Sequence, residues 1–126
     1  MKKHRQTTLT IKEKNISVDV GVRELILQLN ALPDVETYHS CQGHRGQPTA
    51  YVHFGGAGAL ELLLPLAQMI LSEEWAWSAR RQCHVCRGCY GRLMTLEICG
   101  MGIVLRWNPK HYRRVLAMAA DLEKLA

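Results

Sequence analysis

The segment LILQLNALPDVETYHSCQGH, residues 25–44, carries in succession the signals of a helix, a turn, a strand and a glycine-containing loop. Apolar residues recur at the spacing of one helical face, and Pro33 cannot continue a helix. We therefore predict a helix over residues 20–31 with Asp19 as its N-cap, then a strand over residues 35–39. The apolar stripe of this helix consists of Val22, Leu25, Ile26 and Leu29.

Outward from this segment, short runs that alternate or are rich in β-branched and aromatic residues predict further strands. Together with the strand above, the predicted strands lie at residues 7–11, 35–39, 49–54, 75–83, 92–99 and 101–107. In the strand at 49–54, alternation places Tyr51 and His53 on one face and Val52 and Phe54 on the other.

Two more helices are expected. One covers residues 57–73, with a kink or restart at Pro65, which lacks a backbone N–H. The other begins with Asn108 as N-cap and Pro109 at the first helical position. Its predicted buried stripe is Tyr112, Val115, Leu116, Ala119 and Leu122. The fold class is therefore α+β: a mostly antiparallel sheet of five or six strands with three helices, in one domain over residues 1–126.

The composition fits an ordinary globular domain, since 48% of the 126 residues are hydrophobic and 21% are charged. No apolar run approaches the ~20 residues that span a bilayer. Polar residues follow the basic start of the chain where a secretory signal needs an apolar stretch. The five cysteines cannot all pair within the chain. We therefore expect a cytoplasmic protein in a reducing environment, with no membrane partner.

The net charge of +5 is unevenly distributed. Between residues 75 and 115, eight basic residues accompany one acid, Glu97. Seven of the eight are arginines, whose planar fork binds phosphate and stacks on flat rings. This pattern indicates either a solvated basic face or a surface for an anionic partner such as RNA, DNA or a nucleotide.

Four potential metal ligands or proton carriers lie within fifteen residues: His39, Cys41, His44 and His53. Three interpretations are open. In the first, Cys41 and His44 hold a zinc ion that Cys83 and Cys86 complete. In the second, Cys41 is a nucleophile activated by His44 or His53. In the third, the segment is a structural turn with a buried thiol and exposed histidines.

A second cysteine cluster covers residues 83–89, where two strands are expected to reverse direction. A C-x-x-C step in a hairpin with a nearby glycine is typical of a zinc knuckle, because the turn directs both sulfurs to one centre. Cys89 and His84 leave the ligand set ambiguous. An iron–sulfur run would need a fourth cysteine where Leu93 stands. Cys99, at the end of an apolar strand, is expected to be a core thiol.

Candidate ligand-binding residues follow from the same features. The loop and the strand after it contribute hydroxyl, backbone and imidazole groups, and the arginines contribute phosphate contacts. These candidates are Ser40, Gly43, His53, Arg80, Arg87 and Arg92. Trp75 and Trp77 share a face of their predicted strand; they belong to the core or, if exposed beside the arginines, stack a base.

The 25–44 segment resembles small bacterial and phage proteins of unknown function that carry L-N-x-L-P-G-[IV]-x-T-x-x-S-C-x-G-H followed by an aromatic-valine strand. More distantly it is similar to the tRNA wybutosine-synthesising protein 3 family, with its T-x-S-C-S-G-R loop. That family is implied to methylate a modified guanosine in tRNA using S-adenosylmethionine. The residues that match its loop are Thr37, Ser40, Cys41 and Gly43, whereas Gln42 replaces the serine and His44 the arginine.

The leading hypothesis from the sequence is a small zinc-stabilised binding module for an anionic ligand, that is, a nucleotide, RNA or single-stranded DNA. The resemblance adds that it is a phage or mobile-element accessory protein with a protein partner or a nucleotide signal. The rival hypothesis is an enzyme that uses the Ser40–His44 loop, either a tRNA-modifying methyltransferase with S-adenosylmethionine or a cysteine-dependent enzyme.

Overall fold

The computed structural model describes residues 5–43, 50–80, 94–100 and 102–125, and of residues 71–80 and 125 it describes the backbone alone. Along the chain the elements are β1 Gln6–Ile11, β2 Lys14–Asp19, α1 Arg23–Asn30, β3 Glu36–Cys41, β4 Ala50–Gly55, α2 Ala57–Arg80, β5 Met94–Cys99, β6 Gly102–Trp107 and α3 Tyr112–Leu125. Single 3-10 turns, Val20–Val22 and Pro109–His111, precede α1 and α3.

The described strands form two antiparallel sheets. β1 and β2 form a hairpin, and the other four strands form a sheet in the order β3-β4-β6-β5. Two further hairpins, β3–β4 and β5–β6, therefore meet through their second strands in the middle of the larger sheet. The predicted α+β class is confirmed, with six strands and three α-helices in the described part of the chain.

One face of the larger sheet packs on the helices. Alternate residues of β4 and β6 are buried there: Ala50, Val52, Phe54, Ile103, Leu105 and Trp107. The predicted stripe of α1 is fully buried against them, as are Val115, Ala119 and Leu122 of α3, while Tyr112 and Leu116 are partly buried against the same core. The predicted alternation in β4 is also confirmed, because Val52 and Phe54 are buried whereas Tyr51 and His53 are half-buried.

Helix α2 is longer than predicted. It runs to Arg80, so the strand prediction at 75–83 is wrong over residues 75–80, and residues 81–83 lie outside the described part. The stretch after residue 73 contains alanine, glutamate and arginine without glycine or proline, and extending an existing helix over such residues costs little. Pro65 lies inside the helix, which does not restart there.

The ends of α1 and α3 are fixed by different contacts. Asn108 accepts a hydrogen bond from Lys110 N at 3.2 Å, which confirms the predicted cap before α3. Asp19 occupies the predicted N-cap position, before the 3-10 turn Val20–Val22 that leads into α1, but its side chain makes no capping hydrogen bond there. The phenol oxygen of Tyr112 instead accepts from Leu25 N in the first turn of α1 at 3.1 Å. Burial raises the pKa of Tyr112 above its usual 10.0.

Cys99 is exposed, so the prediction of a core thiol is wrong: it ends the edge strand β5, opposite Gly102, which offers no side chain to cover it. Within the described residues no helix combines the length and apolar character that crossing a membrane requires.

Candidate functional site

The face of the four-stranded sheet that points away from the core carries aromatic, imidazole and charged side chains. We call it the open face, and its polar and aromatic residues are Tyr38, His39, Cys41, Tyr51, His53, Thr95, Glu97 and Arg106. The buried Val104 of β6 lies on the same face, opposite both His53 and Glu97. Strand alternation places them there: in β4 and β6 they lie between buried residues, and in β3 and β5 the strand pairing puts them beside those positions. The sequence predicted this placement for Tyr51 and His53 only.

The centre of the open face is a cross-strand row. Cys41 on β3 is opposite Tyr51 on β4, and Tyr51 is opposite Arg106 on β6. The guanidinium carbon of Arg106 lies 5.5 Å from the centre of the Tyr51 ring, within the range of a cation–π contact. The Nη2 atom of Arg106 also lies 3.4 Å from Glu97 Oε1 on β5. Both charged side chains are about half exposed, so this ion pair is weak and replaceable.

A second row contains both histidines of the face. His39 on β3 is directly opposite His53 on β4, and their rings are stacked with centres 6.1 Å apart and planes at 22°. The register of the β3–β4 pair shifts between Thr37 and His39, which adds Tyr38 as an extra residue. Such a bulge redirects a side chain. Tyr38 is 46% exposed, and its ring meets His53 edge-on with centres 5.2 Å apart.

Two glycines make room for these rings. Gly55 and Gly102 are opposite each other on β4 and β6. A Cβ at Gly55 would come within 2.6 Å of the Tyr38 hydroxyl, and one at Gly102 within 2.6 Å of His53 Nε2. The ring of His53 therefore rests on backbone. Its Nε2 atom is buried and has no hydrogen-bond partner among the described residues.

The segment 41–43 at the end of β3 is held by its neighbours. Gln42 Oε1 accepts from Gly21 N at 2.7 Å, and Gln42 N donates to Asp19 Oδ2 at 3.0 Å. Asp19 is only 6% exposed, and its Oδ1 accepts from Gln6 Nε2 at 3.2 Å. A Cβ at Gly21 would collide with the Gln42 side chain. We call this arrangement the Gln42 latch.

Gly43 follows the latch with φ = 87°, a conformation that favours glycine. A Cβ there would lie 2.7 Å from Pro109 Cγ. The end of β3 is thus fixed against both the start of α1 and the start of α3. Residues 41–43 are therefore held in one geometry, which presents their side chains in one orientation.

The predicted site residues are only partly brought together. Cys41 and His53 share the open face, but Cys41 is opposite Tyr51 and His53 is opposite His39. Ser40 pairs with Val52 next to them. Arg80 ends α2, with only its backbone described. The remaining candidates lie outside the described residues: His44, Cys83, Cys86, Arg87 and Arg92.

No cluster of three or more histidine, cysteine, aspartate or glutamate side chains suited to a metal occurs in the described ranges. The zinc prediction depends on residues outside those ranges, so it stays a prediction. The sequence missed Tyr38, Gln42 and Arg106 as members of the site. Their placement depends on the bulge, on the latch and on the pairing of β4 with β6, none of which local pattern reveals.

A comparison of the chain with protein family models, curated proteins and solved structures found no match.

Proposed function

We propose that the protein is a binding module for single-stranded nucleic acid or a nucleotide, with the open face as its binding surface. The observation that carries this proposal is the Tyr51–Arg106 pair, directly opposite on the two central strands. An aromatic ring there stacks a base, and the adjacent guanidinium contacts the phosphate that follows it. Stacking of this kind contributes about 1–3 kcal/mol per base.

Further features of the open face support the same ligand class. Tyr38 and His39 are exposed flat side chains on the edge strand next to Tyr51, so successive bases have more than one ring to stack on. The chain has a net charge of +5, which favours association with a polyanion. Glu97 is the acid among the residues that define this face, and Arg106 already neutralises it.

Fluorescence anisotropy with labelled single-stranded oligonucleotides tests the proposal. We expect Tyr51→Ala to weaken binding about tenfold through lost stacking. Arg106→Gln should weaken binding several-fold and reduce the slope of log affinity against log salt by about one. Arg23→Gln is the matched control, because Arg23 has a similar exposure and a similar ion pair, with Glu24, but lies on α1. Absent binding at low salt, or equal effects of Arg106→Gln and Arg23→Gln, would contradict the proposal.

We further propose that zinc, held by Cys41, His44, Cys83 and Cys86, stabilises this module. The strand pairing supports it: β3 ends, and β5 begins, at the same end of the sheet along the strand direction, since Cys41 and Thr95 belong to one cross-strand row. Three strand spacings separate them, about 14 Å. The nine residues from Cys86 to Thr95 can span about 30 Å, so the two cysteine segments are within reach of a common centre.

Metal content of untagged protein, measured by mass spectrometry, tests the zinc proposal. We expect about one zinc per chain, lost together with several kcal/mol of stability in Cys41→Ser. Cys99→Ser is the matched control, because Cys99 is exposed at the far end of β5 and should retain both metal and stability. Protein that contains no zinc, with Cys41→Ser as stable as Cys99→Ser, would refute the site.

A further inference from the structure

A cleft separates the hairpin from the larger sheet. β2 and β3 belong to different sheets although α1 connects them. Contacts between their corresponding ends indicate that they run side by side in the same direction. Their ends are tied: Lys12 Nζ donates to Val35 O at 3.0 Å before both strands, and Gln42 N donates to Asp19 Oδ2 at 3.0 Å after them. Between these ties the two strand edges are not hydrogen-bonded to each other.

The cleft has a volume of about 220 Å³, and consecutive residues of both strands line it, 16–19 of β2 and 37–40 of β3. Side chains of a strand alternate between its faces, so lining by consecutive residues means that the cleft abuts the backbone edges. Ile26 of α1 also lines it. The volume is below the ~300 Å³ of a drug-sized site and suits one flat ring system.

Polar groups line the cleft on the hairpin side. Ser17 Oγ donates to Gln6 Oε1 at 2.8 Å, and Gln6 Nε2 donates to Asp19 Oδ1 at 3.2 Å. Neither side chain uses all of its hydrogen-bonding groups in these two bonds. The Ser17 hydroxyl can still accept a hydrogen bond, and the Gln6 amide can still donate its second N–H. The cleft therefore offers both an acceptor and a donor to a ligand.

The same cleft opens onto the proposed nucleic-acid surface. Tyr38, His39 and Tyr51 line it and also belong to the open face. A strand whose bases stack on these rings passes the mouth of the cleft. Recognition of single strands commonly combines stacking with hydrogen bonds to one base turned out of the strand.

We propose that the cleft between β2 and β3 takes one unpaired nucleobase from a single strand bound on the open face, with Ser17 and Gln6 bonding its polar edge. This inference rests on the proposed function of the open face. It adds a pocket that distinguishes bases from a bare sugar-phosphate backbone.

The experiment compares two labelled DNA oligonucleotides of equal length, one complete and one abasic at every position. Ser17→Tyr should fill the mouth of the cleft, because Ser17 is exposed on β2 and tyrosine is well tolerated in strands. We expect about tenfold weaker binding of the complete strand, the scale of losing one base contact. Binding of the abasic strand should not change. Thr10→Tyr is the matched control, since Thr10 is exposed on β1 outside the cleft and should leave both affinities unchanged.

The outcomes separate the two proposals. If Arg106→Gln weakens binding but Ser17→Tyr and Thr10→Tyr behave alike, the open face binds the strand and the cleft does not take a base. If the unaltered protein binds neither oligonucleotide at low salt, the proposed function fails and the cleft assignment fails with it. Circular dichroism and thermal unfolding of each variant check that the protein remains folded. Should Ser17→Tyr unfold, Gln6→Leu, which removes the polar edge of the cleft, replaces it with the same expected loss.

Discussion

Asp34 has a left-handed backbone conformation, which glycine adopts more easily than aspartate does. It follows Pro33 in the turn between α1 and β3, where Val35 N donates to Leu32 O at 3.4 Å, and its φ is 56°. Proline at the second position and a positive φ at the third are the features of a type II turn, which prefers glycine at that third position.

We predict that Asp34→Gly stabilises the protein by about 1 kcal/mol, because glycine relieves the left-handed conformation. Urea unfolding followed by circular dichroism measures the change. Asp121→Gly provides the opposite control: it places glycine inside α3 and should destabilise by about 1 kcal/mol. If Asp34→Gly instead lowers the free energy of unfolding, the aspartate side chain stabilises the protein by more than its backbone strain costs.

Ionisation of Tyr112 makes the stability of the folded protein depend on pH in the alkaline range. Its hydroxyl accepts from Leu25 N, and burial raises its pKa above 10.0, so the folded state favours the neutral phenol. The stabilisation is therefore fully present below pH 10.0 and is lost as the pH rises through the raised pKa. We predict that Tyr112→Phe costs about 1 kcal/mol at neutral pH through the lost hydrogen bond. This difference should shrink above about pH 10 in urea titrations, because phenylalanine does not ionise. A difference that stays constant across that range would contradict the prediction.

At the scale of elements, the pairing of β5 with β6 places an acid beside the arginine that we assign to phosphate. Glu97 therefore competes with a ligand for Arg106. We predict that Glu97→Gln raises affinity for single-stranded oligonucleotides about threefold, the scale of an exposed ion pair. The gain should disappear in the Arg106→Gln background. Glu24→Gln, which removes the partner of Arg23 on α1, is the control with the same change of charge. Equal gains in both backgrounds would indicate general repulsion rather than competition for Arg106.

Elements with strong local signals were predictable from the sequence, and their arrangement was not. Alternation located β4 and its two faces, and Asn108-Pro109 located the start of α3, because these signals lie in neighbouring residues. The end of α2 was missed because alternating tryptophans imitate a strand. The role of Asp19 was missed because its partner, Gln42, lies 23 residues away. For the same reason the site was predicted at Cys41 and His53 but not at Arg106, whose place depends on strand order.

At the scale of the whole molecule, chain direction explains why the groups that we assign to ligand binding lie in one region. β2, α1 and β3 follow a strand–helix–strand path, which normally yields two hydrogen-bonded parallel strands. Here β2 does not pair with β3. The β1–β2 hairpin is instead linked to the larger sheet by the Lys12 hydrogen bond and by the Gln42 latch. The chain thereby gains an aromatic face and a polar cleft that share the edge strand β3.

The two hydrogen bonds that flank the cleft also determine how far this domain can be shortened and still fold. Residues 5–19 are an integral part of the fold, because they contribute the buried Asp19 carboxylate, line one side of the cleft and cover the edge of β3. A version trimmed to begin at Val20 would leave that edge open to pairing with other chains, and self-association would follow. Engineering of this protein should therefore keep its first hairpin intact and place any tag upstream of Gln6.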